Sequence, residues 1–246
     1  MYGFDAYDSL TEHVPTAAGV VASLSAMSPL TAWENRVQYV SVSEAWPFPD
    51  DHFDLVISNQ VIEHVADLDL FLAQLSRTLK PGASSIHVFP LRRVLFEWHL
   101  KMPIVHLIED HRLRTKAIEL FTRARIGTYP EFQDGDGIDA ATYAHTRADF
   151  IQFGTFYRRW PEIAHAAKSA RLRAAHRYTR GLYEQKARAI LSRDFVYRYP
   201  LQRGVLGESL AFALLPYLAT ATVVLQKPRV VDTWRAPHSE SCGSSP

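Results

Sequence analysis

Cysteine is almost absent from this chain. Its one cysteine, Cys242, lies in the polar tail SESCGSSP, so no internal disulfide and no zinc cluster built on cysteines can form, and a reducing, cytoplasmic setting is predicted. Excess charge of one sign is lacking too: 27 Lys and Arg against 26 Asp and Glu leave a formal net charge of +1. No global basic field exists to hold nucleic acid by counterion release, and no nucleic-acid partner is expected. The most apolar stretch, residues 210–225, contains Pro216, Thr220 and Thr222 and is shorter than the roughly 20 residues that span a bilayer. It reads as buried core, with peripheral membrane contact as the alternative. The opening MYGFDAYDSL carries acids where a secretory leader has a basic end and an apolar run. Internal repeats, a Ser-His-Asp signature, a phosphate-binding loop and a dinucleotide fingerprint are all missing.

What is present is a globular composition, with 47% hydrophobic and 22% charged residues over 246 positions. That is enough for one large domain with a substantial core. Met1-Tyr2-Gly3-Phe4 reads as a strand entering a loop at Asp5, and residues 15–27 as a helix closed by Pro29. Residues 37–42 alternate at period two, as a half-buried strand does. Phe53-Asp54-Leu55-Val56-Ile57-Ser58 is more continuously apolar, predicting a strand covered on both faces. Leu68, Phe71, Leu72, Leu75 and Leu79 recur at helical spacing, with Lys80-Pro81-Gly82 as the stop, and residues 85–90 form another strand. Such units imply an α/β fold with a mostly parallel sheet and helices on both faces. Beyond Pro90, residues 91–126 read as mainly helical and 127–140 as a polar loop. Then come a helix at 160–170, a strand at 171–179, a helix through Ile190, a helix at 206–218 and a final strand at 220–225. The tail is expected to be disordered.

In open parallel sheets ligands bind beyond the carboxyl ends of the strands. The residues there are Asp5, Ser43 and Glu44, Asn59 and Gln60, and the segment after Phe89. The string WPFPDDHFDLVISNQVIEHVADLDLFLAQLSRTLKPG resembles the class I S-adenosylmethionine-dependent methyltransferases, in particular the group called methyltransferase type 11. The counterparts are the turn Trp46 to Pro49, Phe53-Asp54 in the fourth strand, the Glu63-His64 pair, and Leu79 to Gly82 before the fifth strand.

The resemblance implies a Rossmann-like fold, S-adenosyl-L-methionine as cofactor, and methyl transfer to a small molecule; the candidate bases alone slightly favour oxygen over nitrogen or carbon as acceptor. It places Asp5 and Ala6 at the ribose, Ser43 or Glu44 at the adenine in place of the usual Asp, and Asn59, Gln60 and Val61 at the methionine end. It also exposes a departure, because the family's first strand, glycine-rich loop and first helix have no counterpart. An upstream start is therefore expected, or poor cofactor affinity if the chain is complete. A non-catalytic methyltransferase-like scaffold is the alternative, and RNA modification is disfavoured by the charge balance. The implied division is a partial cofactor core at 1–90, a helical substrate or cap region at 91–203, a closing helix and strand at 204–228, and a tail at 229–246.

His64, His99 and His106 are the candidate bases for the acceptor, although each also fits a packed, hydrogen-bonded role. Glu97 and His99 read as solvent-facing partners on a helix. A later Tyr157-Arg158 resembles a pair in some type 11 members that helps to form a substrate cap. Glu-x-x-Glu-His holds a divalent ion in some methyltransferases, but Gln60 stands for the first Glu here, and no metal is expected. Asp134 to Asp139 only superficially suggests a calcium loop and reads as an exposed turn. The Arg-rich stretches at 112–125 and 171–188 read as solvated helix faces, or alternatively as a site for an anionic substrate.

Overall fold

The computed structural model describes residues 2–7, 17–41, 44–131, 137–192 and 204–229. It contains two compact units, residues 1–52 and 53–246.

In the first unit, β1 (Gly3–Tyr7) runs parallel to β2 (Val37–Ser41), and α1 (Ala17–Met27) connects them. Pro15, Ser43 and the acidic loop at 132–136 lie outside the described residues. The expected loop at Asp5 is corrected: β1 continues through Tyr7, with Asp5 opposite Tyr39 and Ala6 opposite Val40. The parallel partner remains extended over its whole length, so pairing carries the chain past the acid. Trp46 and Phe48 are buried, and Tyr2 packs edge-on against Phe48 at 6.1 Å and His52 at 5.5 Å between ring centroids.

The second unit begins with β3 (Phe53–Asn59), α2 (Leu68–Thr78) and β4 (Leu79–Pro90). Next come the short hairpin β5 (Phe96–Glu97) and β6 (Met102–Pro103), then α3 (His111–Arg123), α4 (Ala140–Phe153) and α5 (Trp160–Ser169). The last elements are β7 (Arg173–Ala175), α6 (Thr179–Ser192), α7 (Val205–Leu214) and β8 (Thr220–Gln226). The main sheet has the order β3-β4-β8-β7, with β3 and β4 parallel and β8 antiparallel to both β4 and β7. α2 packs against β4 and α5, α5 also against β7, and α6 against β8. β8 is buried along almost its whole length because it is covered on both faces.

Four expectations change. β3 is not covered on both faces: Leu55 and Ile57 are 49% and 68% exposed, and among the described residues β3 pairs only with β4. Leu79 does not end the helix but starts β4, opposite Phe53. Residues 91–110 contain no α-helix, only the 3-10 turn Val105–Leu107: Pro103 and the left-handed backbone at Lys101 (φ 53°) and Ile104 (φ 52°) interrupt an α-helix and shape the hairpin. Thr128 and Tyr129, read as polar loop, are buried, and α4 begins at the end of that stretch, where Asp139 accepts from the Ala141 and Thr142 amides.

Candidate functional site

β3 ends at Asn59, and the chain leaves the sheet through Gln60, whose backbone is left-handed (φ 55°) and whose N–H donates to the Val88 carbonyl at 2.8 Å. The next residues coil into a single 3-10 turn, Ile62–His64. This places Ile62 and Glu63 inside, each 1% exposed, and leaves His64 partly open to solvent. Asn59, Gln60 and Val61 form an exposed rim at the carboxyl end of β3.

The turn is held from a distant part of the chain. Arg158 donates to the carbonyls of Val65 (2.7 Å), Ala66 (2.8 Å) and Ile62 (3.4 Å), and the Phe156 amide donates to the Glu63 carbonyl. Arg158 thus satisfies the Val65 and Ala66 carbonyls just past the turn and adds to the Ile62 carbonyl, which already accepts from the Val65 amide. Burial lowers its pKa, while Glu162, Asp67 and Asp69 pull it back up. Tyr157 donates its hydroxyl to Glu97 Oε1 at 2.6 Å.

The hairpin brings in the rest. Glu97 is completely buried, correcting the solvent-facing helical reading of Glu97 and His99. Its Oε1 accepts from Tyr157 and from His99 Nδ1 (2.6 Å), and its Oε2 from the Leu100 amide (2.6 Å). Burial pushes the Glu97 carboxyl up, but these hydrogen bonds and the His99 charge outweigh it and hold the pKa below the usual range. Burial pushes His99 down, but the bond and charge of Glu97, with the charge of Glu63, raise it above the ordinary imidazole value. Burial and the Glu97 carboxylate both push the Tyr157 phenol up, so it remains a donor.

His64 and His99 meet edge to face, with ring centroids 5.0 Å apart, and both lie against Phe150 of α4, at 6.2 and 5.5 Å. His64 Nδ1 lies 2.7 Å from the Gly154 carbonyl at the end of α4, so it carries the proton of that bond. Burial lowers the His64 pKa, only partly offset by that carbonyl. Glu63 completes the cluster: neither carboxylate oxygen has a hydrogen-bond partner among the described residues, and burial raises its pKa to about 7.

His106 lies apart from the pair. It is buried and packs on the Tyr157 ring at 4.9 Å, and burial is the main cause of its lowered pKa. Together with Arg92, Glu109, Arg114, Thr155 and Tyr157 it lines a cleft of about 300 Å³. The structure therefore brings His64 and His99 together with Glu63, Glu97 and Tyr157, and sets His106 beyond Tyr157. Asp5, Ala6 and Glu44 belong to the unit of residues 1–52, while Asn59, Gln60 and Val61 belong to the other. The sequence missed Glu97 and Tyr157 as partners, because 60 positions separate them; the buried acid two residues before a histidine was the available signal.

The methyltransferase domain family matches residues 12–86. The C-methyltransferase UbiE of ubiquinone and menaquinone biosynthesis from a Shewanella species is 45% identical over 49 residues, 20% of each chain. The present chain thus spans about a fifth of the length of the curated relatives it matches. Among solved structures, an S-adenosylmethionine-dependent methyltransferase from Mesorhizobium loti gives a TM-score of 0.42 at 14% identity, covering 86% of this chain and 77% of that one. The YcgJ protein of Bacillus subtilis gives 0.41 at 13%, covering 93% and 82%. Residues 12–86 are therefore similar to the methyltransferase domain family.

Proposed function

We propose that this chain transfers a methyl group from S-adenosylmethionine to a small-molecule acceptor, with an oxygen nucleophile favoured over nitrogen or carbon. The observation that carries the acceptor side is the pair His64 and His99, whose Nδ1 atoms are both engaged with oxygens. Each ring thereby keeps Nε2 as the atom able to take a proton. S-adenosylmethionine supplies an electrophilic methyl on a sulfonium, and the residues of this chain do the rest. His99 Nε2 accepts the acceptor's hydroxyl proton, and the buried Glu97 carboxylate stabilises the resulting imidazolium, itself fixed by Tyr157 and the Leu100 amide. The cleft beside Tyr157, about 300 Å³, is of a size for a small molecule and brings His106 to its wall.

For the cofactor, the exposed rim of Asn59, Gln60 and Val61 offers amide groups suited to a charged amino-acid end. Asp5 and Ala6 are assigned to the ribose, and Ser43 or Glu44 to the adenine. Among the described residues no helix is long and apolar enough to cross a membrane. A cytoplasmic setting is proposed from the lone cysteine, and a small-molecule rather than nucleic-acid partner from the net charge of +1. The second reading is a non-catalytic methyltransferase-like scaffold. Release of S-adenosylhomocysteine in the presence of hydroxylated acceptors separates the two. Turnover should fall at least about a hundredfold in His99→Gln with cofactor binding retained. Cofactor binding without turnover on any hydroxylated acceptor would support the scaffold.

A further inference from the structure

We propose that Glu63, His64 and His99 form a binding site for a divalent transition-metal cation of the zinc class. One ligand atom from each of the three residues lies within 4.8 Å of the others. Ligands about 2.0–2.1 Å from a tetrahedral zinc ion lie about 3.4 Å apart, so side-chain movements of up to about 1.4 Å close the site. The residues come from two elements, the turn after β3 and the β5–β6 hairpin, whose separation is fixed by Tyr157 on Glu97 and Arg158 on the turn.

Three independent features point to a cation. The first is the buried Glu63 side chain, whose two oxygens have no hydrogen-bond partner among the described residues. A carboxylate so placed costs several kcal/mol, of order, unless something satisfies it, and a cation between it and two imidazoles does so. The second is the outer shell. His64 Nδ1 is held by the Gly154 carbonyl and His99 Nδ1 by the Glu97 carboxylate, the two kinds of partner that orient metal-bound imidazoles and leave Nε2 as the ligand atom. Glu97 is oriented in turn by Tyr157 and Leu100. The third is the donor set. Two imidazole nitrogens and one carboxylate suit zinc and its first-row neighbours, whereas calcium and magnesium favour all-oxygen sites.

Three protein ligands leave a fourth tetrahedral position open, as in zinc sites that act on a water or substrate oxygen. The partly open His64 ring leaves a path from solvent. A bound cation would occupy both Nε2 atoms and would itself lower the pKa of a bound hydroxyl, so the proton-accepting role of His99 belongs to the metal-free chain. Gln60, at the position that argued against a metal in the sequence, is not part of this set; His99, distant in sequence, supplies the third ligand.

The test uses the whole chain, stripped with a chelator and titrated with zinc against a chromophoric competitor, then with cobalt(II) followed by its visible absorption. The expected result is one zinc per chain and a tetrahedral cobalt spectrum. Zinc affinity should fall about tenfold or more in each of Glu63→Gln, His64→Gln and His99→Gln, and also in the outer-shell variant Glu97→Gln. Circular dichroism checks that each variant is folded. No zinc uptake by the folded wild-type chain overturns the inference, as does uptake that all four variants leave unchanged. The inference does not rest on methyl transfer. A chain that binds zinc but not S-adenosylhomocysteine upholds it while contradicting the proposed function, and the reverse result does the opposite.

Discussion

Glu97 accepts three donors on two oxygens inside the protein: Tyr157 and His99 on Oε1, and the Leu100 amide on Oε2. A glutamine has one acceptor oxygen and an NH2 group, so in Glu97→Gln the NH2 must face at least one of these donors. A buried donor left unpaired costs about 1–3 kcal/mol, and thermal unfolding of Glu97→Gln should reveal a loss of that size. The same change should move the His99 imidazole pKa down in metal-free protein, since the Glu97 bond and charge are what outweigh burial there. An NMR titration that finds His99 unmoved would contradict this geometry. Arg158 makes a different kind of demand, because its planar guanidinium reaches the Ile62, Val65 and Ala66 carbonyls together. Arg158→Lys should therefore restore little of the stability lost in Arg158→Ala, as equilibrium denaturation would show.

At the scale of elements, two positions test why the local structure forms. Gly127 has φ +104°, and a Cβ there would lie 2.6 Å from Met102 Cε and 2.7 Å from the Leu100 carbonyl oxygen. Gly127→Ala must pay for both the backbone conformation and the clash, so a loss of at least about 1 kcal/mol is expected. Asp67 caps α2 by accepting from the Leu70 amide at 2.8 Å, and Asp67→Ala should cost about 1 kcal/mol. Denaturant midpoints check both. The elements also show what the sequence could reveal. The leucines of α2 have a clear helical period, and Leu68, Leu72 and Leu75 are buried as it requires. α4 escaped notice because its buried face, Tyr143, Ala144, Ala148 and Ile151, contains two alanines whose burial depends on packing in the cluster with Ile118 and Met102. The β5–β6 hairpin was read as helix because tertiary bonds to Tyr157, and not a local period, settle the conformation around Glu97. At the site, Glu63 and the histidines were visible as a motif and as candidates, whereas their convergence was not.

For the molecule as a whole, the central strand β4 carries a pH sensor of stability. His87 is fully buried between the hydroxyls of Ser58 (2.7 Å) and Ser85 (2.9 Å), and burial depresses its pKa to about 4. The unfolded chain, with an imidazole pKa of about 6.5, binds the extra proton first as pH falls. This contribution is intact above about 6.5 and is lost progressively down to about 4. Unfolding free energy should therefore drop more steeply over that window in the wild-type chain than in His87→Gln; parallel curves would refute the assignment. The same chain carries a methyltransferase domain match over residues 12–86, so cofactor binding is the property on which the whole account turns. The most direct measurement is isothermal titration of the purified chain with S-adenosylhomocysteine. The account predicts saturable binding that Asp5→Ala abolishes; a chain that is folded by circular dichroism and takes up no S-adenosylhomocysteine would contradict it.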